Sequence, residues 1–279
     1  MTTHVLPDPA LTKGRFASLP AYSDEALFAA VGVRLAFTTR EGGVSEGPYA
    51  SLNLGSHVDD DPACVARNRR IVQEAFGCAG DPLIVPKQVH GDRIVEVVDA
   101  AGAACAQEQA AAGADALVVG APHVAALLCY ADCVPVIIVS PTGRFAVVHA
   151  GWRGVDNLIA VSSLRAIAQA DAAAQGVDPA HIAAGCNVYL GPHIHPECFE
   201  TGPDVHARFV AQFGEGCAHD ATHIDLAWAL RAQLADAGVD VARICDVDAC
   251  TVCRNDEFFS YRGQGGTAGR HGAFAVRIP

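Results

Sequence analysis

ADALVVGAPHVAALLCYADCVPVIIVSPTGRFAVVHAGWRG, from Ala114 to Gly154, holds four short apolar runs bounded by Gly, Pro, Asp or Ser. The runs are Ala116–Val119, Val124–Tyr130, Val134–Val139 and Phe145–His149. Their length suits strands, and their near-continuous apolar character marks strands covered on both faces. Upstream, Val33–Thr39 reads as a strand ahead of a Gly-rich turn at Glu41–Gly47, and Asp61-Pro62 as the N-cap and N1 of a helix running to about Phe76. Leu83–Val98 carries two β pieces around a turn at Gln88–Asp92, and Ala100–Gly113 fits helix or loop. Downstream, Val155–Gln175 is the best long helix, and Ile182–Leu190 reads as a strand. Pro203–Phe213 and Asp225–Ala237 read as helices, and Ile244–Val247, Phe258–Tyr261 and Ala273–Ile278 as closing strands. Strands and helices interleave without a linker. The expectation is one layered α/β domain over residues 31–279, after a lead-in of residues 1–30 with a short helix from Asp24 to Ala30.

A chain of 279 residues that is 51% hydrophobic and 18% charged can bury a sizeable core. Its net charge of −12 argues against nucleic acid as a partner, because the phosphate backbone calls for clustered Lys and Arg. Lys13 and Lys87 are the only lysines, so an anion would be held by the planar donor fork of Arg. The apolar runs Val124–Cys129 and Val134–Val139 are far shorter than the ~20 residues of a membrane span. MTTHVLPDPALTKGRF lacks the basic and apolar regions of a secretory signal, so a cytoplasmic location with reduced thiols is expected for the 11 cysteines. Oligomeric state is not readable.

Three distant stretches each end a hydrophobic segment on a soft or imidazole donor: KQVHG at His90, YADC at Cys133 and VVHAGWRG at His149. Two imidazoles and a thiolate suit zinc or copper, and three protein ligands leave a position for water or substrate. The same atoms suit Cys133 as a nucleophile with His149 or His90 as its base, and the residues do not separate the two readings. Asp132 and Arg153 would add charge nearby. Arg40, before a Gly-Gly turn, could meet an anion, and Asn53 in SLNLG could bond a hydroxyl-rich ligand, although a turn Arg and a self-capping Asn are the commoner roles. His193 and His195 share one face of an extended segment and could border the pocket. Cys250 and Cys253 form a CxxC with no second CxxC at zinc-ribbon spacing and no redox-type βαβ setting, so neither a metal nor a redox role is assigned to it. The glycines between Arg262 and Arg270 do not fit a dinucleotide fingerprint.

In chain order, TTREGGVSEGPYASLNLG, KQVHG, GADALV, CYADCVPV, VVHAGWRG, LGPHIHPECFETG and FFSYR…GR resemble the YfiH-like family, also labelled laccase-domain, multicopper polyphenol oxidase-like or peptidoglycan editing factor proteins. The resemblance runs from about Val33 to the C-terminus. It implies a single three-layer α/β sandwich related to cysteine-hydrolase-like toxins, with one Zn2+ on His90, Cys133 and His149. The implied activities are phosphorolysis of adenosine, inosine, guanosine and methylthioadenosine, together with adenosine deamination. Small-molecule purine nucleosides and phosphate would then be the partners. Cys133 and His149 would be catalytic; Arg40 and Arg153 are the candidates for the anion, and Asn53 and Asp132 for ribose or base contacts. His193 departs from the small residue usual in the family and would sit in or near the pocket. Two alternatives stand beside this: a peptidoglycan-precursor editing hydrolase using Cys133 or metal-activated water, and a copper polyphenol oxidase. The copper reading lacks the multiple His-x-His runs that oxygen reduction usually requires.

Overall fold

A computed structural model describes residues 5–279, so expectations placed on residues 1–4 lie outside the described residues. In chain order the elements are β1 (Thr12–Phe16), β2 (Leu19–Ser23), α1 (Glu25–Val31), β3 (Val33–Thr38), α2 (Pro62–Ala75), β4 (Leu83–Ile84) and β5 (Ile94–Val97). There follow α3 (Ala103–Ala111), β6 (Ala116–Val119), β7 (Ala125–Tyr130), β8 (Val134–Val139), β9 (Phe145–Ala150), α4 (Trp152–Asp156), α5 (Ile159–Gln175) and α6 (Pro179–Gly185). The chain closes with β10 (Asn187–Leu190), α7 (Pro203–Phe213), α8 (Leu226–Asp236), β11 (Ile244–Asp246) and β12 (His271–Arg277).

The strands form two six-stranded mixed sheets, ordered β1-β2-β3-β12-β7-β4 and β11-β10-β8-β9-β6-β5. Leu35, Phe37, Leu128 and Ala275 of the first sheet share one core cluster with Leu117, Ile137, Phe145 and Val147 of the second. The opposite face of the second sheet packs Val136, Ile138 and Val148 on Ile159, Leu164 and Ile167 of α5 and Leu230 of α8. Val72 of α2 and the adjoining Phe76 cover Ala36, Phe274 and Val276 on the outer face of the first sheet. The chain is therefore a mixed α/β fold, as expected. Every residue of β7, β8 and β9 is buried, which explains why these strands lack an apolar–polar alternation.

The N-terminal segment adds a β1–β2 hairpin, paired antiparallel through β2 to β3, to the expected short helix. Ile182–Leu190 was expected as one strand. Instead α6 runs to Gly185, with Asp178 capping it and Pro179 at its start, and only Asn187–Leu190 is strand. This is the same Asp-Pro signature that starts α2. Phe258–Tyr261 is irregular loop, not strand: Phe258 and Phe259 are fully buried as anchors, and the Ser260 hydroxyl donates to Asp132 Oδ1 at 2.6 Å. The helix expected from Val155 breaks at Leu158, whose φ of 59° is left-handed, and this separates α4 from α5.

Candidate metal centre

Two connections cross from the first sheet to the second at one end of the sandwich. The β4-to-β5 connection carries His90, and the β7-to-β8 connection carries Cys133. Between them lies the last part of β9. There the two-residue period of a strand places His149 on the inter-sheet face already filled by Phe145 and Val147. Pro135 pairs with His149 in the ladder, which brings the start of β8 and Cys133 alongside it. One imidazole nitrogen from each His and the Cys133 sulfur lie within 4.8 Å of one another. His149 is buried, Cys133 half-buried and His90 exposed.

Asp115, which sequence reasoning passed over, organises this cluster from beneath. It is fully buried directly ahead of β6, and Oδ1 lies 2.8 Å from His149 Nδ1. The amides of Val89, His90 and Gly91 donate to the same carboxylate at 3.2, 3.0 and 2.8 Å. One carboxylate thus fixes the turn bearing His90 and leaves His149 Nε2 free for a ligand. A lone acid heading an otherwise apolar strand was the available signal. Gln88 fastens the same turn to β7, with its Oε1 accepting from Cys129 N and its Nε2 donating to Cys129 O, both at 2.8 Å.

The electrostatics of the three residues are mutually dependent. Burial raises the Cys133 thiol, but the His149 and His90 imidazoles outweigh it and bring Cys133 below the ordinary thiol value. Burial lowers His149, but the Cys133 thiolate and Asp115 outweigh that and raise it. A site that gathers a thiolate and two imidazoles, one of them oriented by a carboxylate, matches the donor set of a three-ligand metal centre. Gly151 completes the fit. A Cβ there would stand 3.0 Å from Cys133 Sγ and 3.3 Å from His90 Cδ2, although its φ of −72° suits any residue. Gly151→Ala is therefore expected to fold normally while displacing the donors, with activity falling by up to about 10²-fold; thermal midpoint and turnover measured together check this.

A cavity of about 350 Å³ opens over the cluster, lined also by His57, Gln88, Asp132, Ile194, Phe199, Tyr261, Arg262 and Arg270. Burial first, and then the nearby Arg270, push His57 down to about 4, so it is neutral at pH 7. Arg270 donates through Nη1 to the carbonyls of Ala268 and Gly269 at 2.6 and 2.9 Å. Arg262 donates to Cys198 O and Glu200 O. Asp132 lines the cavity, but its carboxylate is taken up by Thr251 Oγ1, Ser260 Oγ and the Arg262 amide at 2.7, 2.6 and 2.7 Å. Those bonds hold Asp132 at a φ of 99°, costly for a residue with a side chain. Its position makes it an organiser of the cavity wall.

Other expected residues lie outside the cavity lining. Arg40 donates to Ala50 O, Asn255 O and Asn255 Oδ1, so its guanidinium serves loop packing. Asn53 is fully buried, bonded to Gly55, Asp60 and the Arg270 amide, and it positions Arg270 from behind. Arg153 is exposed, with its guanidinium 4.3 Å from the Trp152 ring centroid. His193 is buried with Nδ1 2.8 Å from Gly191 O, next in sequence to the lining residue Ile194. The two cavity arginines flank the Gly-rich loop that sequence reasoning could describe but not place.

Among the described residues, no helix is long and apolar enough to cross a membrane. A family model described as multi-copper polyphenol oxidoreductase laccase matches residues 34–278. A Deinococcus radiodurans protein named purine nucleoside phosphorylase is 38% identical over 242 residues, 84% of this chain and 85% of that protein. Adenosine deaminase RL5, from an unknown prokaryotic organism, is 34% identical over 84% of this chain and 90% of its own length. The crystal structure of YlmD from Geobacillus stearothermophilus superposes with a TM-score of 0.76 at 32% identity, covering 90% of this chain and 93% of that one.

Proposed function

This chain belongs to the multi-copper polyphenol oxidoreductase laccase family, and we propose that it is a zinc-dependent purine nucleoside phosphorylase that also deaminates adenosine. The observation that carries this reading is the convergence of His90, Cys133 and His149 at the floor of a cavity with cationic and aromatic walls. Zinc on those three donors supplies Lewis acidity toward water or a phosphate oxygen.

The remaining work falls to the chain's own side chains. Arg262 and Arg270 are the cations that face the cavity, and they take the anion role first expected of Arg40 and Arg153. Phe199 and Tyr261 supply aromatic surface for a purine, with apolar Ile194 also in the lining. Neutral His57 is a hydrogen-bonding group for ribose or base. In phosphorolysis a phosphate oxygen bonds to C1′ as the bond from C1′ to the purine nitrogen breaks, and the departing purine takes up a proton. In deamination water adds at C6 and ammonia leaves.

Incubation of adenosine with and without phosphate tests the reading. Phosphate-dependent release of adenine supports phosphorolysis, and phosphate-independent inosine supports deamination; neither product at high enzyme concentration would sink both. Metal analysis of protein purified without added metal tests the ion, with stoichiometric copper counting against zinc. Arg270→Ala removes charge-assisted hydrogen bonds of about 1.5–3 kcal/mol. The KM for phosphate should then rise about 10- to 100-fold, with a smaller change in the KM for adenosine.

A further inference from the structure

A second set of donors converges outside the cavity lining. Glu197, Cys198, Cys250 and Cys253 each present a ligand atom within 4.8 Å of the other three. Cys250 and Cys253 come from the CxxC that sequence spacing left unpaired. Their missing partners stand on the 3-10 turn Pro196–Cys198, with Cys198 and Cys253 55 residues apart in the chain. A parallel bridge between His193 and Cys250 brings the two segments together.

We propose that Glu197, Cys198, Cys250 and Cys253 bind a second metal ion, a closed four-ligand zinc site that ties the 193–200 segment to the 249–262 segment. Zinc takes tetrahedral sets of thiolate and carboxylate donors with Zn–S near 2.3 Å, which places sulfurs about 3.8 Å apart. Cys198 Sγ and Cys253 Sγ are 3.6 Å apart, close to that separation and far from the ~2.05 Å of a disulfide. Outer groups fit as well. The His195 amide approaches Cys250 Sγ at 3.5 Å, and the His195 ring stands beside Glu197, with Nδ1 3.8 Å from Oε1, too long for a hydrogen bond.

The two clusters differ in kind. The first offers three protein donors at a cavity; the second offers four, none of them lining that cavity, with Cys198 next in sequence to Phe199 of the cavity wall. Arg262 donates to Cys198 O and Glu200 O, so an ion here would brace both ends of that wall. Its role is structural, as expected of a site with no open position.

Metal analysis of the full chain, purified reduced and without chelator, should give two zinc ions per chain. Cys250→Ser with Cys253→Ser should lose one and keep the ion on His90, Cys133 and His149. His149→Ala should also keep one. Cobalt(II) loaded into His149→Ala should show the intense thiolate-to-cobalt absorption of several sulfur ligands, a readout that does not depend on folding of the double Cys variant. If the first cluster holds no metal, the wild-type chain carries one ion and the Cys variant none, which still supports the second site. A single ion that survives the Cys substitutions and disappears in His149→Ala overturns the proposal. So does a Cys198–Cys253 disulfide recovered by non-reducing peptide mapping of freshly purified protein.

Discussion

His149→Ala is expected to lower kcat/KM for adenosine by about 10³-fold or more, since a catalytic metal is worth several kcal/mol at ~1.36 kcal/mol per tenfold. His149 is buried against Tyr130, with ring centroids 5.5 Å apart, so the substitution also removes packing at the end of the sandwich. His90→Ala separates the two effects. His90 is exposed on its turn, and its loss should cost a similar amount of activity with little change in thermal midpoint. Full activity in either variant, measured alongside metal content at the first cluster, would refute the site.

The second large effect is expected at a residue that touches no substrate. Asp115→Ala removes the acceptor for three amides of the His90 turn and the partner of His149 Nδ1. Breaking a buried charged pair costs about 3–5 kcal/mol, and losing the orienting carboxylate costs about 10–100-fold in metal affinity or activity. Asp115→Asn keeps the shape and one acceptor oxygen, so it should lose less stability while still weakening the metal. The pH dependence has a definite sign. Burial raises the Asp115 carboxyl, but the His149 hydrogen bond and charge and the backbone amides outweigh it and lower the folded value. Its contribution is full above the ordinary carboxylate value of ~4 and is lost as pH falls through the lower folded value. Acid unfolding followed by circular dichroism should therefore be shallower in Asp115→Asn than in the wild-type chain. Equal slopes would remove Asp115 from this role.

Much of the architecture could be read from local pattern. The all-apolar runs announced β6 to β9, and Asp61-Pro62 announced α2, because burial and capping act within a few residues. Reading failed where local and distant forces compete. Phe258 and Phe259 have strand-like side chains, yet they are buried as loop anchors while Ser260 bonds to Asp132 more than a hundred residues away. Ile182–Leu190 has an apolar strand pattern throughout, but the Asp178 cap and Pro179 start a helix in its first half.

By itself, the sequence determined the four central strands β6 to β9, the donor types and the motifs that place the chain in its family. His90, Cys133 and His149 could be chosen as candidate ligands because each motif pairs a donor with the end of an apolar run. Only the tertiary structure decided that they meet, because the meeting depends on two connections crossing between sheets at the same end of the sandwich. It likewise gave Asp115 its place beneath the cluster, put Arg262 and Arg270 in the cavity instead of Arg40 and Arg153, and brought Cys198 to the CxxC. A one-dimensional pattern records what each residue prefers as its surroundings. Which residues share those surroundings is set by strand order and crossover, and those are properties of the packed chain.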